Sequence, residues 1–269
     1  IVSAGVMGTL KLLFHCRDTT KSLTNLSPKL GERVRTNSEA LLGATARKKD
    51  TDYSQGIAIA SVFDADEVTK MEPVRYPAKS GLMRLLSWPL LDYTSGFLGR
   101  LRQIIVNTLR HPIDLLSMLV FPGWAERTTI LLVMQTEDNK MNVQYGREPW
   151  SLFRKRLVID KNNNHQIPTK IEIGHQITRE FAQEINGIEA SSIAEGLLGM
   201  PSTAHILGGI AMGKNIQEGV VDLDCQVFNY PGLFVIDGSI MPANPGINPS
   251  LTITALAEYA MSKQPNKST

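Results

Sequence analysis

The two ends of the chain share one sequence pattern, and the middle has a different one. Residues 1–16 run from a short apolar strand through Gly5 and Gly8 into an apolar helix. The chain closes with a predicted strand at 233–236, a loop, and a helix at 249–261. Strand, turn and helix in succession are typical of an α/β layer. Both ends are therefore predicted to belong to one such layer, with the intervening residues forming another.

The middle of the chain predicts antiparallel strands mixed with helices. Residues 17–50 are polar and irregular, which indicates a connection. Short apolar or alternating runs predict strands at 57–63, 71–76, 128–135 and 141–145, with a turn at 64–66 and a hairpin around 161–164. Apolar residues spaced three or four apart predict helices at 96–110, 113–121 and 176–187. The fold class that follows is α+β, with residues 50–195 as a layer separate from the two ends.

Charge and composition exclude several functions. The 28 basic and 26 acidic side chains give a net charge of +2, and nucleic-acid binders normally show a clear basic excess. The five histidines form no H-x-H or H-E-x-x-H pair, so no metal site is predicted. Cys16 and Cys225 do not make a disulfide framework, which favours a reducing compartment, with a cytoplasmic or peripheral-membrane location.

One near-match to a phosphate-binding loop is rejected. Residues 208–215 are G-G-I-A-M-G-K-N, whereas the phosphate loop ends in serine or threonine, whose hydroxyl binds magnesium. Asn215 has no hydroxyl, and Gly219 interrupts the helix that should follow. A nucleoside triphosphatase is therefore not predicted.

A series of short segments after residue 199 is more specific. His205 precedes a glycine-rich run, P-G-L-F-V-I-D-G-S follows at 231–239, and N-P-S-L-T-I-T at 248–254 opens the last helix. Asn248 suits the N-cap of that helix and Pro249 its first position. A helix start favours an anion or an electron-rich ring, because its free amides point outward. Each segment alone is ordinary, and a lone histidine is more often structural than catalytic.

In this order and spacing the segments resemble the carboxyl-terminal signature of the glucose–methanol–choline (GMC) flavoprotein oxidoreductases, most of all its cholesterol oxidase branch. The opening S-A-G-x-x-G-T-x-K-L-L also resembles the last strand and helix of that family's FAD domain. Weaker matches, I-A-I-A-S-V-F at 57–63 and M-E-P-V-R-Y at 71–76, fall in its substrate domain. The resemblance implies an antiparallel-sheet substrate domain at 46–199, flanked by terminal pieces of an α/β FAD-binding domain at 1–45 and 200–269.

The resemblance also implies an activity and the residues responsible for it. The family oxidises an alcohol by hydride transfer to FAD, and the branch implies a 3β-hydroxysterol such as cholesterol. His205 and Asn248 match the family's pair that faces the flavin and the substrate hydroxyl. Glu72 matches the carboxylate that acts as base in a subsequent double-bond isomerisation.

Further residues are implied to bind the cofactor. Asp237 and Gly238 match the segment that contacts the ribityl and pyrophosphate groups of FAD. The helix start beneath the flavin ring matches Asn248, Pro249, Ser250 and Leu251. No G-x-G-x-x-G occurs in the chain, although the family has this fingerprint near its amino terminus. The chain is therefore expected to be a carboxyl-terminal fragment, inactive alone, that binds FAD weakly without its missing amino-terminal part.

Two alternatives remain open from the residues alone. The apolar stripe of the 96–110 helix is interpreted first as core packing, and second as a lipid-facing entrance for a sterol with arginines near the headgroups. For the function, the alternatives are the same flavoenzyme acting on a non-steroid alcohol, or a non-catalytic sterol- or lipid-binding module. The presence of both His205 and Asn248 counts against the binding module.

Overall fold

A computed structural model describes residues 1–91, 96–120, 122–147, 155–160, 167–168 and 170–264. The helices are α1 Gly5–Asp18, α2 Phe97–Arg110, α3 Pro112–Leu119, α4 Trp124–Arg127, α5 Glu172–Glu184 and α6 Ser250–Ser262. The strands are β1 Val34–Arg35, β2 Ala40–Ala46, β3 Phe63–Asp64, β4 Thr69–Arg75, β5 Ser87–Pro89, β6 Thr128–Gln135, β7 Lys140–Met141, β8 Val143–Gly146, β9 Arg156–Ile159, β10 Gly187–Ser192 and β11 Leu207–Gly208. Helices combined with antiparallel sheets confirm the α+β class.

The chain divides into two compact units. The first unit comprises residues 1–38, 136–167 and 204–269, and the second comprises 39–135 and 168–203. Residues 136–167, which the resemblance assigned to the substrate domain, thus lie in the unit that contains both ends of the chain. The backbone explains this, because β7 pairs with β1 in an antiparallel ladder.

Both chain ends meet in the first unit, as their sequence pattern predicted. Val2 forms a parallel bridge with Val235, and its amide donates to the carbonyl oxygen of Phe234 at 2.8 Å. Helix α1 buries Leu10 and Phe14 against this region because they lie on one helical face. A three-stranded sheet of order β11-β1-β7 and the β8-β9 pair complete the unit.

The second unit is built on a six-stranded antiparallel sheet of order β3-β4-β6-β2-β10-β5. Helix α5 covers one face of this sheet, where its Ile177 and Phe181 pack on a buried cluster that includes Leu42 and Val133. Gly174 permits the close approach, because a Cβ there would lie 2.9 Å from a methyl group of Val133. Residues that alternate with the cluster along β4 and β6 lie on the other face of the sheet.

Several predicted elements are confirmed. Strand β6 has the predicted bounds, and β4, α2, α3 and α6 lie within one or two residues of theirs. The β3-β4 pair has the predicted turn between its strands.

None of the helices in the part of the chain that the structure describes is long and apolar enough to cross a bilayer.

Other predictions are wrong. The segment 17–50, predicted to be a connection, contains the inner strand β2. Its small residues have little intrinsic preference for a strand, and they form one because they are buried inside the sheet. Residues 57–63 form no continuous strand, because side chains such as Ile57 stay exposed. The alternating run at 141–145 is split between β7 and β8, which have different partner strands. Helix α5 begins four residues before the predicted position 176 and ends before Gly187, and the 161–164 hairpin turn lies outside the described residues.

Candidate active site

Three segments of the first unit converge around Gly238. Strand β11, two residues after His205, leads to Ile210, whose amide donates to the carbonyl oxygen of Ser239 at 2.9 Å. A Cβ on Gly238 would lie 3.3 Å from Ile253 Cδ1 in α6 and 3.6 Å from Leu207 Cδ2 in β11. The strand after His205, the 237–239 turn and the start of α6 therefore pack together. We call residues 205, 237–238 and 248–251 the carboxyl-terminal site.

The carboxylate of Asp237 joins this turn to the first helix of the chain. Its Oδ2 accepts a hydrogen bond from Thr9 Oγ1 at 2.5 Å, and its Oδ1 accepts from the Ser239 amide at 2.8 Å and from the Ser239 hydroxyl. Thr9 and Ser239 are fully buried and Asp237 is nearly so. Asp237 thus anchors α1 to the site. It can make its predicted contact with a cofactor only through lone pairs that these hydrogen bonds leave unused on its two carboxylate oxygens.

Helix α6 begins one residue later than the sequence predicted. Pro249 occupies the N-cap, and its carbonyl oxygen accepts the first helical bond from Ile253 N at 2.9 Å. The prediction that Asn248 is the N-cap is therefore wrong, and Asn248 directly precedes the cap. The first-turn amides have no partners within the helix, and Ser250 and Leu251 are exposed, Leu251 by 81%.

Asn37 holds the segment before Asn248, although sequence reasoning did not select it. Asn37 Oδ1 accepts from the Gly246 amide at 3.0 Å, and its Nδ2 donates to the carbonyl oxygen of Ile247 at 3.1 Å. The residue is completely buried and has φ +55°, a left-handed conformation that asparagine tolerates better than most residues. Its only sequence signal was an asparagine in a segment interpreted as a connection.

Glu72 belongs to the second unit, whereas His205 and Asn248 belong to the first. It lies on β4 opposite Leu132 of β6, and it is 3% exposed. Leu132 pairs on its other side with Leu41 of β2. Glu72, Leu132 and Leu41 thus form a row across the sheet on the face away from α5.

A second buried glutamate in this unit was missed. Glu195, in a π-helical turn at Ala194–Leu198, is 1% exposed, and its Oε1 accepts from the Leu41 amide at 3.0 Å and from the Ser202 hydroxyl. Its Oε2 has no hydrogen-bond partner among the residues that the structure describes. Burial, with a contribution from the negative charge of Glu39, raises the pKa of Glu195 to about 7. Its apolar neighbours in I-A-E-G-L-L were a signal of burial.

Within the described ranges, no group of three or more histidine, cysteine, aspartate or glutamate side chains is arranged to hold a metal ion.

Comparison with known proteins assigns part of the chain to a family. Residues 160–257 match the family model described as GMC oxidoreductase. This part of the chain is a GMC oxidoreductase domain. Its limits include the whole carboxyl-terminal site from His205 to Leu251, so the resemblance inferred from the short segments is confirmed.

Known proteins match this chain beyond that domain. A cholesterol oxidase of Acinetobacter baumannii is 39% identical over 269 residues, which are 100% of this chain and 48% of that protein. A cholesterol oxidase of Mycobacterium tuberculosis is 39% identical over 273 residues, covering 99% of this chain and 46% of its own length. The chain therefore spans about half the length of these relatives. The crystal structure of a formate oxidase shares the fold, with a TM-score of 0.55, 15% identity, and coverage of 97% of this chain and 53% of that one.

Proposed function

We propose that the chain is part of an FAD-dependent enzyme that oxidises the hydroxyl group of a 3β-hydroxysterol such as cholesterol. The observation that supports this most is the 39% identity, along the whole chain, with two proteins named cholesterol oxidase. Membership of the GMC oxidoreductases, which are flavoenzymes, supports the oxidation of an alcohol. The identity of the substrate as a sterol and the subsequent isomerisation are more specific than alcohol oxidation, and both belong to this proposal.

The residues of the carboxyl-terminal site fit a flavin. The first turn of α6 offers amides that lack partners within the helix, next to the exposed side chain of Leu251. An electron-rich ring against this helix start would gain from the positive end of the helix dipole, most of all when the ring is reduced and negatively charged. FAD, when bound, supplies the acceptor for the hydride that leaves the alcohol carbon.

His205 and Asn248 have the chemistry that alcohol oxidation needs from the protein. As the carbon loses its hydride, the hydroxyl group must lose its proton, and a neutral imidazole nitrogen of His205 can accept it. The side-chain amide of Asn248 can hold the hydroxyl oxygen as a hydrogen-bond donor. Both residues lie in segments whose backbone is fixed, His205 before β11 and Asn248 after the Asn37 contacts.

Glu72 is the proposed base of the isomerisation. Its carboxylate would take a proton from the carbon between the new ketone and the double bond. The double bond then shifts towards the ketone, and the same carboxyl group returns the proton at the far carbon, so that nothing is gained or lost. A buried carboxylate suits this role because it exchanges protons without competition from bulk water.

The test uses the complete gene product loaded with FAD. Peroxide release and dye reduction are measured with cholesterol, with another 3β-hydroxysteroid, and with long-chain and short-chain alcohols. Turnover of the steroids is expected, and it should be lost in His205→Ala and Asn248→Ala. Turnover of non-steroid alcohols alone would overturn the sterol assignment and keep the family chemistry. Inactivity with every alcohol, with flavin bound and the protein folded, would indicate a sterol- or lipid-binding module.

A further inference from the structure

Helix α2 is placed with its apolar side outward. Leu98, Leu101, Ile105 and Leu109 are spaced by three and four residues and form one stripe along the helix. Their exposed fractions are 80%, 41%, 52% and 77%. A surface helix of a soluble protein normally buries such a stripe and exposes its polar face. The interpretation of the stripe as core packing, favoured from the sequence, is therefore wrong for these four residues.

The side of α2 opposite the stripe, which carries Arg100 and Gln103, faces the rest of the second unit. The guanidinium group of Arg100 packs directly against Gly199, in the space that a side chain at 199 would fill. Gln103 has a buried Oε1 without a hydrogen-bond partner among the residues described. Ile104, Asn107 and Thr108 line a cavity of about 280 Å³ within the second unit. The helix is thus oriented by contacts of the side opposite the stripe, and the four stripe residues are left largely or partly exposed.

Two neighbouring elements extend the apolar surface. Helix α3 and the 3₁₀ turn Gly81–Leu86 contact each other, and α3 contacts α2. These two elements and Val120, which directly follows α3, expose large aliphatic side chains, namely Leu82, Leu85, Leu86, Ile113, Leu116 and Val120. Together with the four residues of the α2 stripe they make up what we call the outer apolar face. Many exposed apolar side chains on neighbouring elements are typical of an interaction site for a membrane or another protein.

The charges beside the outer apolar face select a lipid surface. Residues 96–113 contain three arginines, one histidine and no acidic residue. Arg102 and Arg110 are exposed and directly follow Leu101 and Leu109 of the stripe. Leucines that enter the acyl region, with arginines at headgroup level, are typical of interfacial amphipathic helices. The basic side chains match anionic headgroups.

We propose that the outer apolar face binds the protein to the surface of an anionic phospholipid bilayer, with α2 lying in the plane of the interface. The proposal depends on the exposure and charge of α2, α3 and the 3₁₀ turn. It does not depend on the identity of the alcohol that is oxidised, so it stands or fails separately from the proposed function.

The test is flotation of the complete protein with vesicles of phosphatidylcholine, with and without phosphatidylserine. The wild type is expected to float, and more so with phosphatidylserine. The double variant Leu98→Asp/Leu109→Asp should bind at least about tenfold more weakly to both vesicles, because two exposed apolar anchors are lost. Arg102→Glu/Arg110→Glu should lose mainly the increase due to phosphatidylserine. Leu223→Asp, a leucine that is 60% exposed in the first unit, is the matched control and should bind as the wild type does.

The same variants distinguish a lipid surface from a protein that covers the outer apolar face. Circular dichroism and thermal unfolding should match the wild type for all variants, because the changed side chains are exposed. Equal flotation of the wild type and Leu98→Asp/Leu109→Asp would overturn the proposal. So would a wild-type dimer that this variant dissociates, if the wild type does not float. A polarity-sensitive dye on Leu98→Cys should shift only when vesicles are added, and a shift already present without vesicles would show that protein covers the face.

Discussion

The side chain of Asn37 donates a hydrogen bond to the carbonyl oxygen of Ile247, 210 residues away, with 3.1 Å between Nδ2 and O. Its Oδ1 accepts from Gly246, the residue before Ile247, so both sides of one buried amide are used on the segment that leads to Asn248. Asn37 is therefore a positioning residue for the carboxyl-terminal site. These two hydrogen bonds act on the backbone of residues 246 and 247.

Comparison of two substitutions at Asn37 separates the loss of its side-chain hydrogen bonds from the effect of backbone strain. Asn37→Gly keeps the φ of +55° accessible and loses both side-chain bonds, so it should lower the free energy of unfolding by about 1–3 kcal/mol. Asn37→Ala should cost roughly 1 kcal/mol more, because alanine resists the left-handed conformation. Denaturant unfolding measures both values. In the complete enzyme, kcat should fall about tenfold or more with KM little changed, since the backbone before Asn248 shifts. Unchanged kcat in both variants would contradict a positioning role.

Thr9→Val tests the contact between α1 and Asp237. Valine keeps the shape of threonine but leaves Asp237 Oδ2 without its 2.5 Å donor in a buried place. The free energy of unfolding should fall by about 1–3 kcal/mol, because a buried charged acceptor loses its partner. Thr20→Val is the control, since the Thr20 hydroxyl is exposed, and it should change stability by less than about 0.5 kcal/mol. Equal stability of the two variants in chemical denaturation would show that the contact is not a structural anchor.

The buried carboxyl group of Glu195 predicts a pH-dependent stability. Its pKa is raised from its ordinary value of 4.5 to about 7, so the folded protein holds the proton more tightly than the unfolded chain does. The stabilisation from this group is complete below about pH 4.5 and is lost as the pH rises through about 7. Glu195→Gln cannot ionise. Its stability relative to the wild type should therefore rise by about 2–3 kcal/mol between pH 5 and pH 8. Denaturation across this pH range measures the difference, and Glu258→Gln, at an exposed position, should show none. If the difference in unfolding free energy between the wild type and Glu195→Gln does not change with pH, a raised pKa of Glu195 is excluded.

Glu72→Gln should separate oxidation from isomerisation. Glutamine keeps the size of the buried side chain but cannot accept the proton, so sterol oxidation should continue while the unconjugated ketone accumulates. The rate of isomerisation is expected to fall by about 10²-fold or more. Ultraviolet absorbance of the conjugated product and mass-balanced chromatography follow the two steps. Unchanged formation of the conjugated ketone would remove Glu72 from the proposed chemistry.

The elements that the sequence predicted best are those with a long local pattern of apolar residues. Helix α2 has apolar residues spaced by three and four, strand β6 has a continuous apolar run, and both lie where predicted. Strand β2 was missed because A-L-L-G-A-T-A has few residues that favour strands, and only its neighbours β6 and β10 hold it in the sheet. The period of α2 also predicted the apolar stripe without showing which way it faces, because that depends on contacts with residues distant in sequence.

Part of the site was also predictable from local sequence patterns. His205, Asp237 and the start of α6 lie in short segments whose order is distinctive, and the family model contains them all. Asn37 and Glu195 act through partners 210 and 154 residues away, so no local pattern shows which groups they contact. Such residues become visible only when the chain is folded.

The central claim is that the carboxyl-terminal site takes part in the transfer of a hydride from a sterol to a flavin. The most direct measurement is single-turnover, anaerobic stopped-flow reduction of the FAD-loaded complete protein by a 3β-hydroxysterol, followed by the loss of oxidised-flavin absorbance. The wild type is expected to be reduced, and His205→Ala and Asn248→Ala should be reduced about 10²-fold or more slowly with flavin still bound. Reduction at the wild-type rate in both variants, or no reduction of the wild type by any sterol, would contradict the claim.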